Sequence, residues 1–212
     1  GQESNLFYSL KNGELLWIFE TDSDSAGFYS SPALGSDGTV YTTCHDGFLY
    51  ALDPADGSLK WGLRIAEDVE DSSIASSPIV GEEDEIFVCT YGGVCSAIDS
   101  EGEVIWSTNL QSEIVSTPVS CSNGVLYVIG RGEARLFQLN ISDGSLERSD
   151  HIGSDSLGSP VMSKDGTLYY AVTLNDIGGR SRLGSLSTHS SPSGSWPMFG
   201  QDHNRSGRQE SF

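Results

Sequence analysis

The chain is poor in positive charge. Its 212 residues hold 11 Lys and Arg against 30 Asp and Glu, a formal net charge of −19. Phosphate backbones and anionic lipid surfaces are gripped by clustered Lys and Arg, so this deficit argues against nucleic-acid binding and against a basic membrane patch. Long apolar runs are missing too, and no stretch approaches the ~20 residues needed to cross a bilayer as a helix. No charged, apolar and small-residue succession of a secretory leader opens the chain. Cysteine is scarce: Cys44, Cys89, Cys95 and Cys121 show neither CxxC nor zinc-ligand spacing. Cys89 and Cys95 flank the turn Tyr91-Gly92-Gly93, which leaves room for a cross-strand disulfide, although free buried thiols are the expectation.

Motifs of catalysis are also absent. The sequence contains no GxSxG elbow, no P-loop, no HExxH and no GxGxxG after a strand. What is there is repetition. Ser/Thr-Pro pairs recur at Ser31-Pro32, Ser77-Pro78, Thr117-Pro118 and Ser159-Pro160, with prolines 46, 40 and 42 residues apart. Trp17, Trp61 and Trp106 follow at 44 and 45 residues, Trp196 falls 90 further on, and Arg148 stands where the intervening tryptophan is due. A fixed period in this range means stacked supersecondary units.

Each unit reads as four short strands, A to D. In residues 29–61, β-branched and aromatic runs are separated by Ser36-Asp37-Gly38, His45-Asp46-Gly47 and Pro54-Ala55-Asp56-Gly57. Such Asp-Gly turns between apolar runs are the strongest short-range hairpin signal. Residues 75–106, 115–147 and 157–200 obey the same grammar, the last with a longer B–C loop, while 5–17 match strands C and D alone. A four-stranded meander cannot bury both faces by itself, but stacking such sheets radially covers each face with a neighbour. The expected fold is therefore an all-β propeller in one domain. Five blades are expected, one shared between the N-terminal half unit and the tail after Trp196, or else completed by another copy of the chain. The tail proper is 201–212, and the Gly- and Ser-rich residues 184–195 read as a flexible connector to it. Prolines 32, 78, 118 and 160 sit at the start of strand A, where no ladder donor is required. The tryptophans are expected as plugs between blades.

The pattern carried by Ser31, Pro32, Asp37, Gly38, Val40, Tyr41, Gly47, Leu49, Tyr50, Ala51, Leu52, Asp53, Gly57 and Trp61 resembles the pyrroloquinoline-quinone-like propeller repeat. It recurs at Ser77, Pro78, Ala97, Ile98, Asp99, Gly102 and Trp106, and the ending from Trp196 to Arg208 resembles one common among proteins of this kind. The resemblance covers nearly the whole chain and implies two functional branches. One comprises quinone- and Ca²⁺-dependent dehydrogenases, large eight-bladed enzymes with adjacent cysteines over the quinone. The other resembles the outer-membrane assembly lipoprotein of bacteria, a protein-binding scaffold without cofactor. No Cys-Cys pair occurs here, and no residues match the Ca²⁺ ligands of the first branch, so the scaffold branch is favoured and no cofactor is expected. Its relatives point to the cell envelope or exterior. A quinone- and Ca²⁺-binding oxidoreductase, and a structural segment of a larger surface protein, are the alternatives.

Loops on a rigid scaffold are where binding usually resides. The A–B and C–D turns are short Asp-Gly types that read as architecture, whereas the opposite face carries varied D–A connections and B–C turns. The candidate binding residues there are Asp22, Asp24, Asp68 and Asp71 from the connections, with His45, Asp46, Tyr91 and Arg131 from the turns. Converging acidic loops suit a protein or peptide partner, basic ones included. Asp22-Ser23-Asp24 lacks the glycine and distal glutamate of a calcium loop, so no metal ligand is assigned. His45 beside Asp46 has the composition of an acid–base pair, but an exposed turn histidine is the expected outcome.

Overall fold

Asp-Gly and Asn-Gly turns between short apolar runs leave the chain little choice but antiparallel hairpins, and hairpins are what it forms. The structure is a computed structural model describing residues 5–22, 27–66, 76–174, 180–194 and 197–198. β1 (Leu6–Lys11) and β2 (Glu14–Glu20) make a two-stranded hairpin. β3 (Ala33–Leu34), β4 (Val40–Thr43), β5 (Phe48–Leu52) and β6 (Leu59–Arg64) make a four-stranded sheet in chain order. β7 (Ile79–Val80), β8 (Ile86–Cys89), β9 (Val94–Ile98) and β10 (Val104–Asn109) make the next. β11 (Val119–Ser120), β12 (Val125–Gly130), β13 (Arg135–Asn140) and β14 (Leu146–His151) follow, then a three-stranded sheet of β15 (Val161–Met162), β16 (Thr167–Leu174) and β17 (Arg180–Ser187). Among the described residues every regular element is a strand, and the five sheets stand side by side as propeller blades.

The core is divided rather than central. Each apolar cluster lies between two consecutive sheets. Ala33, Tyr41, Leu49 and Ala51 of the first full blade meet Val80, Ile86, Val88 and Ile98 of the second. Phe87, Ala97 and Trp106 of the second meet Leu126, Val128, Phe137 and Leu139 of the third. This one-dimensional stacking gives the repeat its reason, because every blade must present the same two faces to its neighbours.

Two recurrent bolts tie the sheets together, and both cross the joints between the first and second and between the second and third full blades. The indole Nε1 of Trp17 donates to the carbonyl of Pro54 at 3.0 Å, that of Trp61 to Ser100 at 2.8 Å, and that of Trp106 to Ile141 at 2.7 Å. Each acceptor belongs to the C–D turn of the following blade. There a glycine with positive φ (Gly57, Gly102, Gly144) lies under the ring, leaving no room for a Cβ. Asp53, Asp99 and Asn140 open these turns, their side chains accepting the N–H two residues on. In β6 and β10 a one-residue bulge directly precedes the tryptophan, as it does Trp17 in β2, and it re-aims the ring toward the next blade. Arg148 keeps the bulge but pairs instead with Asp150 at 2.6 Å, and among the described residues the sheet that follows has three strands and no C–D turn of this type to receive an indole.

The second bolt explains the Ser/Thr-Pro period. The backbone N–H of Ser31 donates to Ser77 Oγ at 2.9 Å, that of Ser77 to Thr117 Oγ1 at 3.2 Å, and that of Thr117 to Ser159 Oγ at 2.9 Å. Each hydroxyl thus takes the donor of the preceding blade at the inner rim. The proline that follows starts strand A.

Two expectations are corrected. Cys89 and Cys95, directly opposed across β8 and β9, are joined in a disulfide rather than free, while Cys44 and Cys121 are buried thiols. Burial pushes these thiols up, to about 11 for Cys44 and about 12 for Cys121. The expected flexible connector is also pinned. Ser122 N donates to Ser191 O, Ser193 N to Ser120 O and Ser120 N to Pro197 O, so this stretch runs along β11 of the third blade, with Met198 fully buried beyond it. A serine-rich segment has backbone and hydroxyl groups to spare, and the free edge of β11 supplies their partners. Trp196 and residues 201–212, expected to close a shared blade, lie outside the described residues.

Candidate binding face

Three B–C turns repeat at one register. Residues 45, 91 and 131 each lie 13 positions after the proline of their unit, so His45, Tyr91 and Arg131 occupy equivalent corners, whereas Thr173 at the same offset still lies within β16. The structure brings two of the predicted residues together. Arg131 Nη1 reaches Tyr91 OH at 3.5 Å across the joint between the second and third blades. Two further residues complete the group, Glu113 and Asp155, from consecutive D–A connections. Arg131 Nη1 lies 3.7 Å from Glu113 Oε2, and its Nε lies 3.8 Å from Asp155 Oδ1. Backbone bonds fix the cluster: Arg131 N donates to Glu113 O at 2.6 Å, and Gly132 N and Ser156 N donate to Asp155 Oδ1 at 3.2 and 2.8 Å. A hydrogen bond to Glu113 raises the Tyr91 phenol above its ordinary value.

Beside this cluster runs an open cleft of about 540 Å³, lined by Glu113, Arg131, Glu133, Arg135, Phe137 and Ser149 among others. Its walls are polar and carry both signs of charge. Sequence reasoning passed over Glu113 and Asp155 although a signal was present: each stands four residues before the Ser/Thr of its Ser/Thr-Pro pair.

The first full blade builds something different at the same corner. The His45 ring packs against Tyr29 with centroids 4.3 Å apart. Asp46 accepts the Tyr50 hydroxyl at 2.7 Å and the Phe48 N–H at 3.0 Å. That carboxylate orders the turn and buries a phenol, which is a structural task. Asp22 is exposed just beyond β2, and Asp24, Asp68 and Asp71 lie outside the described residues. Among the described residues no group of three His, Cys, Asp or Glu is placed to hold a metal ion. No described helix is long and apolar enough to cross a membrane.

The opposite face is not bare architecture. Between the second and third blades, a cleft of about 500 Å³ is lined by Glu82, Glu83, Glu85, Asp99 and Ser122, with Ser193 of the pinned segment at its edge. Burial raises the Glu85 carboxyl above its ordinary value.

Comparison with known proteins agrees with this architecture. The family model described as outer membrane protein assembly factor BamB matches residues 2–100 and 92–181. The curated BamB of Moranella endobia is 27% identical over 177 residues, covering 78% of this chain and 43% of that protein, so the chain spans less than half of its relative's length. The crystal structure of BamB from Moraxella catarrhalis superposes with a TM-score of 0.64 at 19% identity, over 89% of this chain and 59% of that one. Two computationally designed proteins superpose with TM-scores of 0.62 at 15% identity. Ika4 is covered over 99% of its length by 82% of this chain, and Ika8 over 51% of its length by 84% of this chain. With its blades, its interblade tryptophans and a family match reaching from residue 2 to residue 181, the chain belongs to the BamB family of PQQ-like β-propeller proteins.

Proposed function

We propose that this chain is a non-enzymatic scaffold of envelope assembly, and that it holds an extended, basic segment of a protein partner on the loop face of its second to fourth blades. The observation that carries the reading is the rigid group of Tyr91, Glu113, Arg131 and Asp155, drawn from two turns and two connections and fixed by backbone hydrogen bonds. Its relatives are named as outer membrane protein assembly factors, which supplies the class of partner and the compartment. The Cys89–Cys95 disulfide supports the same location, because such bonds form and persist in oxidising compartments. Two carboxylates against one guanidinium leave the cluster net negative, and the chain's excess of acid adds a long-range attraction for Lys and Arg.

Fluorescence anisotropy with labelled extended peptides bearing alternate lysines tests this. Binding is expected, and it weakens several-fold between low and moderate salt as exposed charges are screened. The charge-reversed double variant Glu113→Lys with Asp155→Lys loses it. Equal binding of acidic and basic peptides, or no response to that variant, would refute the reading.

A further inference from the structure

Cations are scarce in this chain, yet two arginines repeat at one register on successive blades. In the third blade Arg135 pairs with Gly130, and in the fourth Arg182 pairs with Val172. Gly130 and Val172 each stand 12 positions after the proline of their unit, so the two arginines are equivalent. Phe48 and Val94 hold that place in the first and second full blades. Paired residues share a face of the sheet, as do alternate residues along a strand. Arg135 therefore shares its face with Phe137 and Leu139, which pack on the second blade. Arg182 shares its face with Leu168 and Tyr170, which pack on the third. Both arginines thus stand at joints made within the chain.

Each lines a cleft at its joint. Arg135 lines the cleft of about 540 Å³ beside the corner cluster, where its Nη1 donates to Ser149 Oγ at 3.2 Å. Glu113 and Glu133 line that cleft too, but neither pairs with Arg135, and Glu113 lies against Arg131. Arg182 lines a cleft of about 360 Å³ between the third and fourth blades, walled by His151, Tyr170 and Ser185 and by no carboxylate among the described residues. Gly184 stands there in the place of Phe137, and a Cβ on it would lie 2.3 Å from the Tyr170 ring. Lys60, Arg131 and Arg148 each meet a carboxylate, whereas neither Arg135 nor Arg182 forms an ion pair among the described residues. A guanidinium fits a carboxylate through paired N–H donors. Two guanidinium groups left without one, in a chain with 30 acidic residues, mark places for carboxylates from outside.

We infer that Arg135 and Arg182 receive carboxylate side chains of the partner segment, so that this segment carries acidic residues between its basic ones. The inference rests on the reading of this face as the holder of an extended segment, and adds to it a charge pattern. Lysines of the partner go to Glu113 and Asp155, and its glutamates or aspartates go to the two arginines.

Two labelled peptides test it by anisotropy. They share alternate lysines and differ only in the residues between, glutamate in one and glutamine in the other. Long-range attraction to a chain of net charge −19 favours the glutamine peptide, which is the more positive, so the sign of the difference isolates the local contacts. The wild-type chain is expected to bind the glutamate peptide about three-fold tighter, the scale of two exposed ion pairs. The double variant Arg135→Gln with Arg182→Gln, with unchanged circular dichroism, reverses that order and binds the glutamine peptide no more weakly than wild type does. Equal binding of both peptides by wild type, or tighter binding of the glutamine peptide, would overturn the inference and leave the basic-segment reading standing. So would a preference for glutamate that survives in the double variant. Failure of both peptides to bind would overturn the two together.

Discussion

Replacing Gly144 with alanine isolates the tryptophan bolt from the turn that receives it. Gly144 has φ +69°, and a methyl group there would stand 2.5 Å from Trp106 Cδ2. Gly124 has φ +77° with nothing within 4 Å, so it serves as the control. A left-handed backbone costs a non-glycine residue about 1–2 kcal/mol, and that is the whole expected effect of Gly124→Ala. Gly144→Ala adds overpacking of about 1–3 kcal/mol. Trp106 is 8% exposed, packs against Phe87 with the two rings tilted and donates to Ile141 O, so Trp106→Ala is expected to cost about 3–5 kcal/mol. In that background the methyl at position 144 meets no ring and only Thr108 Oγ1, 2.9 Å away, so most of the overpacking cost of Gly144→Ala should disappear. The coupling is thus about 1–3 kcal/mol. Urea unfolding followed by far-UV circular dichroism reads it, since a slope of about 2–3 kcal/mol/M turns 3 kcal/mol into a midpoint shift of roughly 1–1.5 M. Equal costs for Gly144→Ala and Gly124→Ala, or strict additivity of Trp106→Ala with Gly144→Ala, would refute the bolt.

Two further outcomes are expected. Thiol titration in denaturant without reductant should count two of the four cysteines, and reduction should lower stability by about 2 kcal/mol for so short a loop; a count of four would remove the disulfide. Asp37 is partly desolvated, which raises it, but hydrogen bonds from Thr39 N and Oγ1 and from Lys60 outweigh this and hold it at about 2, below the ordinary 3.8. Its ionised form therefore contributes stability at neutral pH that is withdrawn as pH falls from about 4 through 2. The gap between wild type and Asp37→Asn should narrow over that window, and a gap independent of pH would show that the carboxylate is not the source.

Most of the architecture was legible because it is periodic. Pro32, Pro78, Pro118 and Pro160 mark strand A, and Trp17, Trp61 and Trp106 mark strand D, so counting residues locates the blades. Counting does not show what the repeat is for. The hydroxyl relay through Ser77, Thr117 and Ser159 crosses from one unit to the next over 40 to 46 residues, and only the stacked sheets bring those groups together. The bulge before Trp17, Trp61 and Trp106 is likewise invisible, since register shifts leave no trace in composition. Of the proposed binding residues, Tyr91 and Arg131 were singled out because turn residues stand out between apolar runs. Glu113 and Asp155 were missed because an acidic residue in an acidic chain carries little signal, and only their shared offset from the Ser/Thr-Pro pair distinguishes them. His45 and Asp46 are adjacent in sequence but were not expected to act as an acid–base pair, and the backbone sends one to Tyr29 and the other to Tyr50.

The account stands or falls on which face of the propeller binds. Amide hydrogen exchange with and without the lysine-bearing peptide reads this directly, because the turns of the two faces lie in separate stretches of chain. Protection is expected at residues 111–113 and 131–135, which line the loop-face cleft. Protection at residues 82–85 and 122–124 instead would move the site to the opposite face and contradict the account.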